Sequence, residues 1–244
     1  MVDAASLTVV HRDQHLLVLF KPAGLATTSP DGSGCLASLA REIDPSAPRL
    51  HASSRLDADV TGLVTFARTD RAIAQLMAAR AGGRYQRFYL GLSAKAPTPE
   101  RGEWRGAVAK DPRNPRRRII ALEGKAGAVS AHSRYQVVSC SAQVTLLSLL
   151  PQTGRTHQLR LHASAAGAPL LGDKHYGGPT RVTLSDGRVV RASRVMLHCA
   201  RLRLPAIDRD DQLVLDAPVP SDMRDLFAAL GGEVDSLDAA AWDR

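Results

Sequence analysis

Short apolar runs of strand length recur along this chain, each closed by Gly, Pro, Asp or Asn, and they restrict it to a fold built mainly from paired strands. Leu7 to Val10 and Leu16 to Phe20 are separated by the polar turn Arg12-Asp13-Gln14. Gly62 to Ala67 is short, apolar and rich in β-favouring residues, as a buried strand should be. In Gln86 to Ser93, Phe88, Leu90 and Leu92 alternate with Tyr89 and Gly91, so period two sends Tyr89 to the opposite face. Trp104 to Ala109, Arg118 to Leu122, Gly127 to Val138, Gln143 to Leu150, Val195 to Leu204 and Leu213 to Asp216 complete the set.

Helical periodicity is rarer. Leu36, Leu39 and Ile43 share a face that Asp44-Pro45 ends. Asp70 to Ala81 has Thr69 or Asp70 as cap, Ile73, Leu76 and Met77 on one side, and Gly82-Gly83 as its stop. A third helix follows Thr156 and a fourth spans Ser221 to Leu230. No repeat or linker divides the chain. The reading is one α+β domain over residues 1–232, a large mixed, mainly antiparallel sheet flanked by a few helices, with a C-terminal tail over 233–244.

The charge is informative about partners. Lys plus Arg number 32 against 24 Asp plus Glu, a net +8, and the excess is rich in arginine, the side chain suited to bidentate phosphate contact. Lys110 to Arg118 is turn-rich and basic; it reads either as a hairpin tip carrying four arginines along a phosphate backbone or as a solvated loop. Cys35, Cys140 and Cys199 are scattered, with no CxxC pair, which suggests neither a disulfide framework nor a cysteine metal site and fits a reducing cytoplasm. No apolar run approaches the length needed to span a membrane.

Candidate chemistry gathers in a few loops. Asp57 lies just before the Gly62 to Ala67 strand with Arg55 two residues upstream. It is either a carboxylate held ionised for nucleophilic work or a turn residue capping its own backbone. Pro151 to Ala163 begins as a tight turn and becomes a helix; its backbone donors and cations suit an anion. Arg160 lies one turn after Thr156. His157 and His162 share no helical face and no acid joins them, so a metal site is not expected. Tyr89 by itself reads as a residue packing against a second layer.

Taken together these motifs resemble the RluA-type family of RNA pseudouridine synthases over nearly the whole chain. Lys21-Pro22-Ala23-Gly24-Leu25 is similar to the family's Lys-Pro-x-Gly stretch. Arg55-Leu56-Asp57, followed by Thr61-Gly62-Leu63, is similar to its Arg-Leu-Asp motif. Arg87-Phe88-Tyr89-Leu90-Gly91 resembles its Lys-x-Tyr-x-Ala strand. Thr153 to Arg160 and Pro169 to Gly177 are close to its two most distinctive segments. The chain departs from the pattern at Ser54, where the family has His, at Val60-Thr61-Gly62 for Thr-Ser-Gly, at Arg87 for Lys, and at Gly91 for Ala. These departures bear on the positioning of the catalytic loop and on the target RNA.

The resemblance implies isomerisation of uridines in rRNA or tRNA to pseudouridine. It makes Asp57 the catalytic carboxylate, Tyr89 the ring that stacks on the target base, and Arg160 the cation that keeps Asp57 charged, with Arg155 as runner-up. It implies that Arg55 holds the distorted RNA, that Arg155 and His157 contact substrate, and that Arg116, Arg117 and Arg118 add sequence-independent phosphate affinity. A flipped base, no metal or organic cofactor, no membrane and a monomer complete the expectation. Two rivals remain: a catalytically silent RNA-binding module of the same fold, and a glycoside or nucleoside hydrolase using Asp57 with Asp59.

Overall fold

The computed structural model describes residues 2–122 and 124–238. The chain divides into two compact units, one formed by residues up to Arg87 with Cys199–Pro218, the other by Phe88–His198 with the segment from Val219 onward.

In the first unit, β1 (Val9–Arg12) and β2 (Leu16–Lys21) form an antiparallel hairpin. Asp13 makes the turn, because its carboxylate accepts the backbone N–H of His15 and of Leu16, each at 2.7 Å. β2 runs antiparallel to β4 (Thr61–Ala67), with Leu19 opposite Val64. All seven residues of β4 are buried, so it is a central strand and tolerates no exposed polar face. β3 (His51–Ala52) pairs with the far end of β4, and β13 (Gln212–Asp216) pairs antiparallel with β12 (Leu197–Pro205).

Helix α1 (Leu36–Ile43) buries Leu36, Leu39 and Ala40. Helix α2 (Asp70–Ala81) starts where the sequence predicts, with Thr69 accepting the N–H of Ala72 at 3.2 Å. Its buried stripe differs from the expected one. Ala72, Leu76 and Ala79 face inward while Met77 is 67% exposed. Small alanines at i and i+7 around Leu76 let the helix lie close, and Met77, about 100° round from Leu76, is left outside.

The second unit is an antiparallel meander with one long exchange. Its strand order is β5 (Gln86–Ser93), β9 (Thr145–Pro151), β8 (Val129–Cys140), β6 (Arg101–Asp111), β7 (Asn114–Ala121). The described pairings along it are all antiparallel. β5 alternates as expected, Phe88, Leu90 and Leu92 on one face and Tyr89 and Gly91 on the other, but both faces are buried. Gly91 is tight: a Cβ there would lie 3.0 Å from Leu170 Cδ2 and 3.1 Å from Leu149 Cδ1. An alanine here, as the resemblance predicts, would need those two leucine methyls to give by a few tenths of an ångström.

Helix α3 (Gln158–Ala165) and helix α4 (Ser221–Ala229) belong to this unit, as does a small separate hairpin of β10 (Arg181–Thr183) and β11 (Val189–Arg191) that the sequence reading did not anticipate. Within the expected tail, α5 (Asp235–Asp238) is a single helical turn with Leu237 buried; residues 239–244 lie outside the described residues.

Of the two readings of the basic segment the structure has the hairpin, with strands that run closer to the tip than expected. Lys110 to Arg118 is not a loop. Pro112 and Arg113 alone form the turn, and Arg116, Arg117 and Arg118 lie on β7 itself. Asp111 and Asn114 both use their side chains to hold this turn, accepting the N–H of Arg113 at 2.9 Å and of Arg116 at 3.0 Å. The turn is therefore two residues long, and the strand alternation puts Arg117 on the face opposite Arg116 and Arg118.

Candidate active site

Asp57 sits in a loop of the first unit that is fastened on both sides. Upstream, the Thr27 hydroxyl accepts the Leu56 N–H at 3.0 Å and donates to the Leu56 carbonyl at 2.8 Å. Downstream, the Ala58 carbonyl accepts the Lys21 ammonium at 2.8 Å and the Gly24 N–H at 2.9 Å. Lys21 is fully buried, and its ammonium also donates to the carbonyls of Pro22 at 2.8 Å and Leu25 at 2.7 Å. Three carbonyl dipoles thus solvate a charge that burial would otherwise make costly. The Lys-Pro-Ala-Gly stretch is in this way tied through one side chain to the residue next to Asp57.

Beyond Asp57, the Val60 N–H bonds the Asp57 carbonyl at 3.1 Å, closing a tight turn into β4. Gly62 holds φ at +119°, and a Cβ on it would fall 2.2 Å from the Cys199 carbonyl oxygen. Only glycine fits there. Asp57 is half-buried, and Arg55 and Asp59 are exposed. Asp57 is both a turn residue by its backbone and a carboxylate on a rigid mount; the two sequence readings are compatible.

In the second unit, the segment Thr153 to His157 is closed by Gln158. Its amide oxygen accepts the Thr153 hydroxyl at 2.7 Å and the Arg155 N–H at 3.0 Å, and its amide nitrogen donates to the His132 carbonyl and the Ser133 hydroxyl, each at 2.9 Å. His157 turns the chain into α3 with a left-handed φ of 59°. The helix therefore begins at Gln158, and Thr156 lies in the preceding turn rather than on a helical face with Arg160. Arg155 is exposed and donates Nε to the Ser130 carbonyl at 2.8 Å.

Arg160 is buried on α3, and Asp173 grips it bidentately, Nε to Oδ2 at 2.7 Å and Nη2 to Oδ1 at 2.8 Å. Asp173 was not singled out from the sequence, although it lies in the quoted Pro169 to Gly177 segment. Nor was Tyr176, where four of the expected residues meet. Its hydroxyl lies 2.8 Å from His157 Nδ1 and accepts the Arg118 N–H at 2.9 Å; its ring lies under the Arg117 and Arg160 guanidinium carbons, 5.6 and 5.2 Å from the centroid. Arg116 is exposed, and the Arg118 guanidinium turns back onto the carbonyls of Pro115 and Arg117. Tyr89 is buried in β5 opposite Leu149.

A family model described as RNA pseudouridylate synthase matches residues 15–165. Ribosomal large subunit pseudouridine synthase D of Haemophilus ducreyi is 32% identical over 235 residues, covering 92% of this chain and 70% of that protein. The chain belongs to the RluA-type family of RNA pseudouridine synthases. The uncharacterized RNA pseudouridine synthase YhcT of Bacillus subtilis is 29% identical over 229 residues, 92% of this chain and 72% of that one. The solved structure of human RNA pseudouridylate synthase domain containing 4 shares the fold with a TM-score of 0.75 at 24% identity, covering 93% and 95% of the two chains.

This pseudouridine synthase is thus an isomerase acting on RNA, and its departures from the family pattern have structural places. Ser54 is buried, and its hydroxyl accepts the Thr65 N–H of β4 at 3.2 Å; Val60 is buried at the strand entrance. Both hold the Asp57 loop against the sheet of its own unit. His162 lies below α3 with Nδ1 3.0 Å from the Ser133 hydroxyl, and burial, aided by the nearby His132, pushes its pKa down to about 4. It is neutral at pH 7. Among the described residues no group of three or more His, Cys, Asp or Glu is placed to hold a metal ion.

Proposed function

We propose that this synthase converts specific uridines of large-subunit ribosomal RNA to pseudouridine, with Asp57 as its catalytic carboxylate. The reaction breaks the bond between the sugar C1′ and the uracil N1, turns the base and joins C1′ to C5; C5 then loses its proton and N1 gains one, so the product is an isomer of uridine. The sugar becomes electron-poor on the way, and a fixed carboxylate lowers the energy of that state or captures it covalently. The observation that carries this reading is the double fastening of the Asp57 loop by Thr27 and Lys21. A reacting carboxylate gains from a mount that does not reorganise during the step.

Tyr89 is assigned to the target base, against which an aromatic face stacks once the base has left its helix. Arg160 is assigned as the site's cation, with its orientation set by Asp173. Arg55, Arg155, His157 and the arginines of β7 are assigned to RNA contacts that fix register more than sequence. The ribosomal target is taken from relatives named ribosomal large subunit pseudouridine synthases C and D, which are 27 to 32% identical to this chain.

The test is to map pseudouridines across total cellular RNA with the protein present, absent and replaced by Asp57→Asn. Sites in large-subunit rRNA should vanish in the last two samples alike. Full modification by Asp57→Asn would refute the catalytic assignment, and lost sites confined to other RNAs would refute the target.

A further inference from the structure

We propose that Tyr176 is a positioning residue that holds Arg117 and His157 in one fixed geometry to receive a phosphate of the RNA substrate. The inference rests on the reading that β7 contacts RNA and specifies how one of its arginines does so.

Tyr176 is itself held firmly. It is 5% exposed and packs with Val108, Ala131 and Leu161. Its backbone N–H bonds the Asp173 carbonyl at 3.2 Å, and its carbonyl accepts the Ser164 hydroxyl of α3 at 2.7 Å. The phenol is therefore fixed relative to both α3 and the Asp173 loop before any ligand arrives.

Its hydroxyl has one proton and two lone pairs. The Arg118 N–H takes one lone pair at 2.9 Å. β7 is last in the strand order of this unit, so that N–H is an outward-facing donor of an edge strand and needs a partner. In the neutral tautomer of His157 with its ring proton on Nε2, the hydroxyl donates to Nδ1 at 2.8 Å. In that state the contact with Tyr176 fixes the orientation of the His157 ring. The same contact helps hold the left-handed backbone of His157, a conformation that disfavours a non-glycine residue.

The ring does the rest. Arg160 and Arg117 both lie over it, but they differ in charge balance. Arg160 is bound by Asp173, whereas Arg117 has no acidic partner among the described residues, and its Nε is buried without a hydrogen-bond partner. A guanidinium packed on an aromatic ring keeps its charge and presents N–H donors as a planar fork, the arrangement suited to a phosphate. Arg116, exposed on the opposite face, and Arg118, bonded to its own strand's carbonyls, lack this preparation.

The experiment measures binding of a substrate rRNA fragment against salt for Arg117→Gln, Tyr176→Leu, Tyr176→Phe, His157→Ala and the pairs, with thermal melts on each. Arg117→Gln should lower the log–log salt slope by about one phosphate contact, and Tyr176→Leu should do the same. The Arg117→Gln/Tyr176→Leu pair should bind no more weakly, within about twofold, than its weaker single variant. Tyr176→Phe keeps the ring, so its slope should stay at the wild-type value while affinity falls about three- to tenfold; adding His157→Ala should then change little. The Tyr176→Phe and His157→Ala cycle decides the matter even if Tyr176→Leu does not fold. Effects that multiply in both cycles overturn the inference alone. An Arg117→Gln variant with unchanged affinity and slope overturns both the inference and the RNA role of β7.

Discussion

Asp173→Asn is the most informative single change outside the Asp57 loop. The Asp173 side chain is fully buried and that of Arg160 is 5% exposed, and their two hydrogen bonds are 2.7 and 2.8 Å long. Asparagine keeps the shape and one carbonyl acceptor but removes the negative charge and replaces one acceptor with a donor facing the guanidinium. Removing one partner of a buried, bidentate pair costs about 3–5 kcal/mol. The retained carbonyl points to the lower end, about 3 kcal/mol, which is a large share of the roughly 5–15 kcal/mol that holds a typical domain. Urea unfolding followed by circular dichroism reads the loss as a shift of midpoint at constant slope. A companion variant, Arg160→Met with Asp173→Leu, replaces the pair by apolar side chains of similar bulk and should recover most of that stability. It should still fail in single-turnover pseudouridine formation, since the charge assigned to catalysis is gone. An Asp173→Asn midpoint within about 1 kcal/mol of wild type would refute the argument that this pair is desolvated and interdependent.

Further predictions follow from other buried groups. His162 has its pKa depressed to about 4 in the folded protein, against about 6.5 in an unfolded chain. The unfolded state therefore binds more protons between these values, so stability is complete above pH 6.5 and falls as pH drops toward 4. The limiting loss is about 3 kcal/mol, and His162→Gln should flatten that part of a stability–pH curve; an unaltered curve would refute it. Lys21→Met leaves the Pro22, Leu25 and Ala58 carbonyls short of a donor. It should cost about 2–4 kcal/mol in urea unfolding and lower the single-turnover rate. Gly62→Ala, with its Cβ forced to 2.2 Å from the Cys199 carbonyl, should cost about 3 kcal/mol or more, and a neutral result would contradict the packing of β4.

Strands and helices were legible in the sequence where one period dominated. Helix α2 carries a cap, a stop and an apolar stripe, and its bounds were found at Asp70–Ala81. Its buried face was misjudged because Met77 outweighs alanine in any count of hydrophobicity, while packing favours whichever side approaches closest. The strands of the basic hairpin are longer than their sequence suggests for a related reason. Pro112, Asn114 and Pro115 are turn residues, but Pro115 is accommodated on edge strand β7, and cross-strand pairing with β6 carries the ladder through Arg118. Asp173 and Tyr176 were within a quoted motif yet given no role, because Arg160, His157, Arg118 and Arg117 lie 13 to 59 residues away from them in sequence and no local period links them.

By itself the sequence determined the chemistry on offer: the strand-forming core, the cationic surface, and the motifs that place this chain among the RNA pseudouridine synthases. Residue types and short spacings suffice for that, because propensity, charge and motif are local properties. Tertiary structure alone decided which groups are held still. Lys21 reaches Ala58, Thr27 reaches Leu56, and Tyr176 gathers Arg117, Arg118, His157 and Arg160, each through hydrogen bonds or ring contacts whose geometry exists only once distant segments pack together.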